Sequence, residues 1–431
     1  MWGARCAVAA LFLTASFPAA GAGAKDEFSL VPAKLWSPRD GLGNVFARLK
    51  AGERVRVAYL GGSITAQNGW RVKTLQWLQQ RYPHAKLEEI NAAIGGTGSD
   101  LGVFRFQHDV LRYQPNLVFV EFSVNDGGTE PAAICRAMEG IVRQAWRHDP
   151  ALDLCFVYTF RVGYEKDLDR GFCPRAASAH ELLAEHYGIP SINMALRTAE
   201  LAREGRLFYT PPQDAQGKAL PLPPGAVLFS NDGVHPLDAG HDVYLQVIAE
   251  ALTAMEPTSR PQPHTLKAPL MPDNWEKAKL VPLRPSMLTP GWKKLDPGVG
   301  LGRQFANRLP ELWEATQPGE RLTFRFRGTV AKLYDVMGPD GGQVVCTLDG
   351  RAGPPRPRFD SYCTYWRLAS LTLGQDLEDG VHTVVVEVHP EQPDRSVVID
   401  REKDKPGFDP AKYQGTAVRV GFLMLVGDLL E

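Results

Sequence analysis

The chain has 431 residues, 44% of them hydrophobic and 23% charged, with 48 Lys and Arg against 49 Asp and Glu. That size and balance fit two or three folded domains and exclude a chain dominated by disorder. A net charge of −1 excludes nucleic-acid binding through a strongly basic surface, and no internal repeat points to a solenoid or propeller.

Residues 1–24 read as a secretory signal. Arg5 supplies a positive start, 6–17 an apolar run, and Ala20-Gly21-Ala22 or Ala22-Gly23-Ala24 a small-x-small cleavage site. The run is too short to span a bilayer, and no later stretch reads as a membrane anchor. The expected location is secreted or periplasmic. Five cysteines remain after cleavage, so at least one is unpaired; Cys346 and Cys363 flank a loop and are candidates for a disulfide. No metal-binding spacing occurs, and no cofactor is expected.

From residue 25 to 258 the pattern alternates strand and helix. Apolar runs at 54–60, 87–94, 116–124, 152–160 and 189–194 read as strands. Helical periodicity appears at 70–82, 101–113, 132–148, 175–187 and 239–255. Near-continuous apolar strands between helices predict a parallel sheet covered on both faces, a doubly wound α/β fold. Residues 259–290 are rich in Pro and Lys and read as a linker. From 291 to 431 the runs 321–326, 329–336, 343–348, 382–388 and 417–426, punctuated by Asp-Gly turns, predict a smaller antiparallel β-sandwich. Residues 394–415 read as a charged loop.

Four short motifs follow the expected strands. Gly61-Gly62-Ser63 places a hydroxyl at the end of the first. Gly95-Gly96-Thr97-Gly98 follows the second and offers backbone N–H groups. Asn125, in Ser123-Val124-Asn125-Asp126, ends the third. Asp232-Gly233-Val234-His235 precedes the last helix, with the acid placed to orient the base. Together they supply nucleophile, base, orienting acid and amide donors, the set needed for acyl transfer. Gly96-x-Gly98 with Gly102 and Glu121 imitates a dinucleotide-binding fingerprint, but it follows the second strand and its third glycine is displaced. Arg161 follows the fourth strand and is a candidate substrate contact. Trp70 is another, weighed against a place in the core. Trp366 and Tyr365 in the second domain are weighed between packing and stacking on a sugar.

The four motifs, in identity and order, resemble the SGNH hydrolase superfamily, also called GDSL esterases, over roughly residues 50–255. The resemblance implies the flavodoxin-like SGNH fold. It implies Ser63 as nucleophile, His235 as general base and Asp232 as its partner, with Ser63, Gly96 and Asn125 forming an oxyanion hole. One departure is plain: the family's usual Gly-Asp-Ser is here Gly61-Gly62-Ser63. Secretion and an appended β-sandwich further resemble bacterial carbohydrate esterases, which implies an O-acetylated polysaccharide or oligosaccharide as substrate. An O-acyltransferase, a lipid esterase or a thioesterase would use the same residues. A glycan-binding protein that keeps the fold without catalysis is the alternative from another class.

Overall fold

The computed structural model describes residues 28–431, so the predicted signal segment lies outside the described residues. The first sheet is built from β1 (Trp36–Ser37), β2 (Arg54–Gly61), β3 (Lys86–Asn91), β4 (Leu117–Glu121), β5 (Asp153–Tyr158) and β6 (Ser191–Asn193). Its order is β1-β6-β5-β4-β2-β3, parallel except for β1 at one edge. Leaving β1 aside, this is the 2-1-3-4-5 order of the flavodoxin-like fold, whose switch point lies where β2 sends its neighbours to either side. β4 and β5 are buried along their whole length, which is why they read as unbroken apolar runs. The edge strand β3 carries Glu88 and Glu89, charges that discourage edge-to-edge pairing.

Both faces are covered. Ala58, Val118, Val120 and Phe156 pack against α4 (Ser99–Asp109), α5 (Pro131–His148) and α7 (Arg175–Tyr187). Val57, Tyr59, Phe119 and Val157 pack against α1 (Gly43–Lys50), α3 (Trp70–Arg81), α8 (Met194–Arg203) and α9 (Asp238–Met255) on the other face. Two single-turn helices, α2 (Ser63–Ala66) and α6 (Glu165–Leu168), follow β2 and β5, and β7 (Leu207–Phe208) pairs with β8 (Val227–Leu228).

A ten-stranded antiparallel sheet makes the second domain. Its backbone is two long strands, β12 (Arg321–Met337) and β18 (Val418–Leu430), running side by side. The first half of β12 pairs with β17 (Gly380–Val388) and the second half with β16 (Arg367–Gly374), so one strand serves both halves of the sandwich. The sequence reading divided β12 at Gly328. The chain instead continues through a bulge there, where Gly328 (φ +152°) meets Gly427 (φ +141°). A Cβ on Gly328 would lie 2.1 Å from the Val426 carbonyl oxygen, so only glycine lets the two backbones cross. Beyond the bulge β12 is buried on both faces. Leu333 enters the sandwich core, while Tyr334 and Val336 join Phe422 and Met424 in the core shared with α4 and α5.

Residues 259–290 are not a free linker. His264 stacks on Trp146 and bonds to Asp153, and the N–H groups of Leu270 and Met271 donate to the buried Glu139 at 2.6 and 2.7 Å. The segment then forms β9 (Ala278–Pro282), which pairs with β18. Proline and lysine at its surface concealed these anchors, one a histidine ring and two of them backbone N–H groups. Lys332 completes the junction, donating to Asp100 at 3.0 Å with its ammonium 4.9 Å from the Trp275 ring. Residues 394–415, expected as a loop, include a helix at Ser396–Glu402 and a 3-10 turn at Pro410–Tyr413. Cys346 and Cys363 do not pair: both are free, because Cys346 packs in the sandwich core and Cys363 in a separate cluster with Met337 and Phe359. No helix among the described residues is long and apolar enough to cross a membrane.

Candidate active site

Three strand ends and one turn converge at the switch point. β2 stops at Gly61, and Gly62, in an extended conformation, leads into α2, whose first residue is Ser63. The Ser63 hydroxyl lies 2.8 Å from His235 Nε2, although 172 residues separate them. His235 Nδ1 lies 2.7 Å from Asp232 Oδ2. A carboxylate on Nδ1 calls for a proton there, which leaves the Nε2 lone pair to accept from Ser63.

The turn that holds the acid and base is self-contained. Gly233, at φ +79°, reverses the chain between them. Asp232 Oδ1 accepts the N–H of Val234 at 2.9 Å and of His235 at 2.8 Å, and the Ser230 hydroxyl at 2.7 Å. Burial pushes the Asp232 carboxyl up. The hydrogen bonds from the His235 ring, the two amides and Ser230 outweigh it and hold the group well below the usual carboxylate range. Asp232 is therefore ionised wherever the protein is folded at ordinary pH. The Gly233 carbonyl accepts the N–H of Val162, tying this turn to the end of β5.

The two remaining motifs lie on the other side of Ser63. A Cβ on Gly95 would sit 3.5 Å from that of Ser63, and Gly96 turns the chain at φ +71°. Asn125 opens a short 3-10 turn after β4, with its amide against the backbone of Gly62. Beneath the nucleophile loop Glu121 is fully buried. It accepts the Thr65 hydroxyl at 2.9 Å and the Thr159 hydroxyl at 2.7 Å, and burial raises its pKa. Glu121 thus joins α2 to β4 and the end of β5. Gly102 packs on Phe122, where a Cβ would come within 2.7 Å of the ring, so the fingerprint-like glycine serves helix–strand packing.

Among the weaker candidates, Trp70 is corrected. It is fully buried, edge-on to Tyr59 and Phe119, and its amide donates to His241 Nδ1 at 3.1 Å; it does not face a ligand. The helical spacing that marked it gave no sign of which face turned inward. Arg161 is exposed, its guanidinium over the Tyr164 ring, one residue from the Val162 tether. Trp366 is anchored through Nε1 to Asp340 at 2.9 Å, whereas Tyr362 and Tyr365 on the same loop are 68% and 55% exposed. A cleft of about 250 Å³ separates Gly96, Thr97 and Gly98 from Met337, Asp360, Arg367 and Ser370 of the second domain. Ser230 and His241 carried no motif, and Glu121 stood only in the fingerprint-like pattern; the two-residue spacing of Ser230 from Asp232 alone hinted at its role.

An α/β sheet of this order, with Ser, His and Asp hydrogen-bonded in series beyond the carboxyl ends of its strands, has the architecture of an α/β serine hydrolase. The GDSL-like Lipase/Acylhydrolase family model matches residues 59–243, so the α/β domain is similar to that family over this span. No curated protein matches the chain. Among solved structures it is similar to a two-domain esterase (CEX) active on acetylated mannans, at 22% identity and a TM-score of 0.68, covering 90% of this chain and 94% of that one. The same esterase co-crystallised with mannopentaose gives a TM-score of 0.67 at the same identity and coverage. An acetylxylan esterase from Geobacillus stearothermophilus is similar at 16% identity and a TM-score of 0.37, covering 46% of this chain and 94% of its own.

Proposed function

We propose that this chain is a serine esterase that removes acyl groups, chiefly acetyl, from a polysaccharide or oligosaccharide. The observation that carries the reading is the unbroken hydrogen-bond series from Ser63 through His235 to Asp232. The substrate class is supported by similarity over both domains to an esterase whose name records activity on acetylated mannans. The cleft between Gly96 and the second domain, with Tyr362 and Tyr365 exposed nearby, supports a substrate that extends beyond the ester. Arg161 is retained as a substrate contact at the rim. A secreted or periplasmic location rests on residues 1–24, and catalysis needs no cofactor in this reading.

In the proposed reaction Ser63 Oγ attacks the ester carbonyl carbon while its proton passes to His235 Nε2. The carbonyl π pair moves onto oxygen, where the N–H groups of Ser63 and Gly96 and the Asn125 amide hold the negative charge. Asp232 stabilises the imidazolium. The C–O bond to the sugar breaks, and His235 returns the proton to the departing hydroxyl oxygen. Water then gives a proton to His235 and attacks the acyl-enzyme. Collapse of that second intermediate frees the carboxylic acid and reprotonates Ser63. The test is acetate release from a panel of acetylated mannans, xylans and bacterial glycans. Release from a glycan supports the reading. Binding without release supports a glycan-binding protein, transfer to an added acceptor with little free acetate supports an acyltransferase, and release only from lipid or thioester substrates supports those relatives.

A further inference from the structure

We propose that Asp126 is a positioning residue that staples the loop carrying Gly96 to the turn carrying Asn125, fixing the separation of two oxyanion donors. The inference rests on the ester-hydrolase reading above for its catalytic consequence and on geometry for the staple itself. Asp126 directly follows Asn125 and is buried, at 1% exposure. Its Oδ1 accepts the backbone N–H of Ser99 at 2.9 Å. Ser99 is the first residue of α4, three positions after Gly96, and its N–H is one of the groups a helix start leaves without an internal partner. The two loops approach so closely that a Cβ on Gly98 would lie 2.4 Å from the same carboxylate oxygen.

The other oxygen is held from behind. Asp126 Oδ2 lies 3.2 Å from Nε2 of His180, a fully buried side chain on α7. His180 Nδ1 has no partner, which fits a neutral ring donating through Nε2, because a proton on Nδ1 would be buried without an acceptor. The carboxylate is thus fixed on both sides, and neither bond reaches the site of reaction. Its effect on the chemistry passes through Gly96 and Asn125. Donors aimed at a developing charge lose most of their value when displaced by about 1 Å.

The experiment compares Asp126→Ala, Asp126→Asn and Ser99→Pro with the wild type by steady-state kinetics on a chromogenic acetate and by amide hydrogen exchange. Asp126→Ala removes the acceptor. Ser99→Pro removes the donor at the first helical position, where proline suits the helix, and its Cδ takes the place of the N–H, so it also pushes the Asp126 carboxylate away. Both should lower kcat, by on the order of 10²-fold, with little change in KM, and both should speed exchange at 95–98 and 125–128 together. Asp126→Asn keeps a carbonyl oxygen for Ser99 and should recover most of both. Unchanged protection of the two segments in Asp126→Ala and Ser99→Pro would overturn the proposal, as would an Asn variant as impaired as the Ala variant. If Asp126→Ala does not fold, Ser99→Pro decides. If the wild type shows no Ser63-dependent turnover, the esterase reading fails, and the exchange data still decide for or against the staple.

Discussion

The side-chain amide of Asn125 occupies the space that a side chain on residue 62 would need: a Cβ built on Gly62 falls 1.9 Å from Asn125 Oδ1 and 2.7 Å from Cγ. This gives physical content to the Gly61-Gly62-Ser63 departure. Where relatives carry aspartate, this chain has no side chain, and Asn125 leans onto the bare backbone.

Restoring the family's residue should therefore harm the enzyme. Gly62 sits at φ −91° and ψ −154°, extended backbone that any residue adopts, so strain does not confound the test. Gly62→Asp and Gly62→Ala should both displace Asn125 and lower kcat tenfold or more, toward the roughly 10²–10³-fold loss seen when an oxyanion donor is removed. KM should change little. Steady-state kinetics check this, and wild-type kcat in both variants would show that Asn125 is not held by that contact.

Asn125→Ala isolates the donor itself. Its hydrogen bond strengthens as charge develops on the carbonyl oxygen, so its loss should appear in kcat far more than in KM, by about 10²–10³-fold. A change confined to KM would place Asn125 in ground-state binding instead.

His241 makes acid stability a readout of the support beneath Ser63. Burial, reinforced by Lys73, pushes this ring down to about 4 against the opposing pull of Asp238 and Asp242. Its Nδ1 accepts the amide of Trp70, the first residue of α3. An unfolded histidine titrates near about 6.5. As pH falls below that value the unfolded chain takes up a proton that the folded ring refuses, so stability drops until about pH 4 is reached. His241→Asn keeps an acceptor for Trp70 and does not titrate. Between pH 7 and 4.5 it should lose less stability than the wild type, by on the order of 2 kcal/mol. Urea unfolding at the two pH values checks this, and parallel losses in both proteins would contradict it.

The sequence carried the parts of the fold that are decided locally. β4 and β5 were legible because strands buried on both faces have no polar alternation to obscure them. Ser63, Asn125, Asp232 and His235 were legible because strand ends and a tight turn mark them, and the structure brings Ser63, Asp232 and His235 into one hydrogen-bonded series. What escaped was set by tertiary contact. The strand was read as two runs, 321–326 and 329–336, because nothing local shows that Gly328 pairs across a bulge with the distant Gly427. Trp70 was weighed between the core and a ligand contact because helical spacing does not say which side is covered, and it lies in the core. Glu121 stood only in a fingerprint-like pattern that was set aside, and the hydroxyls of Thr65 and Thr159 explain a carboxylate buried there.

The account turns on Ser63 being the nucleophile. The most direct measurement is hydrolysis of a chromogenic acetate by Ser63→Ala, with its fold verified by circular dichroism and thermal unfolding. Turnover should fall by on the order of 10⁴-fold or more while the folded state persists. A folded Ser63→Ala protein that hydrolyses the ester at close to the wild-type rate would contradict it.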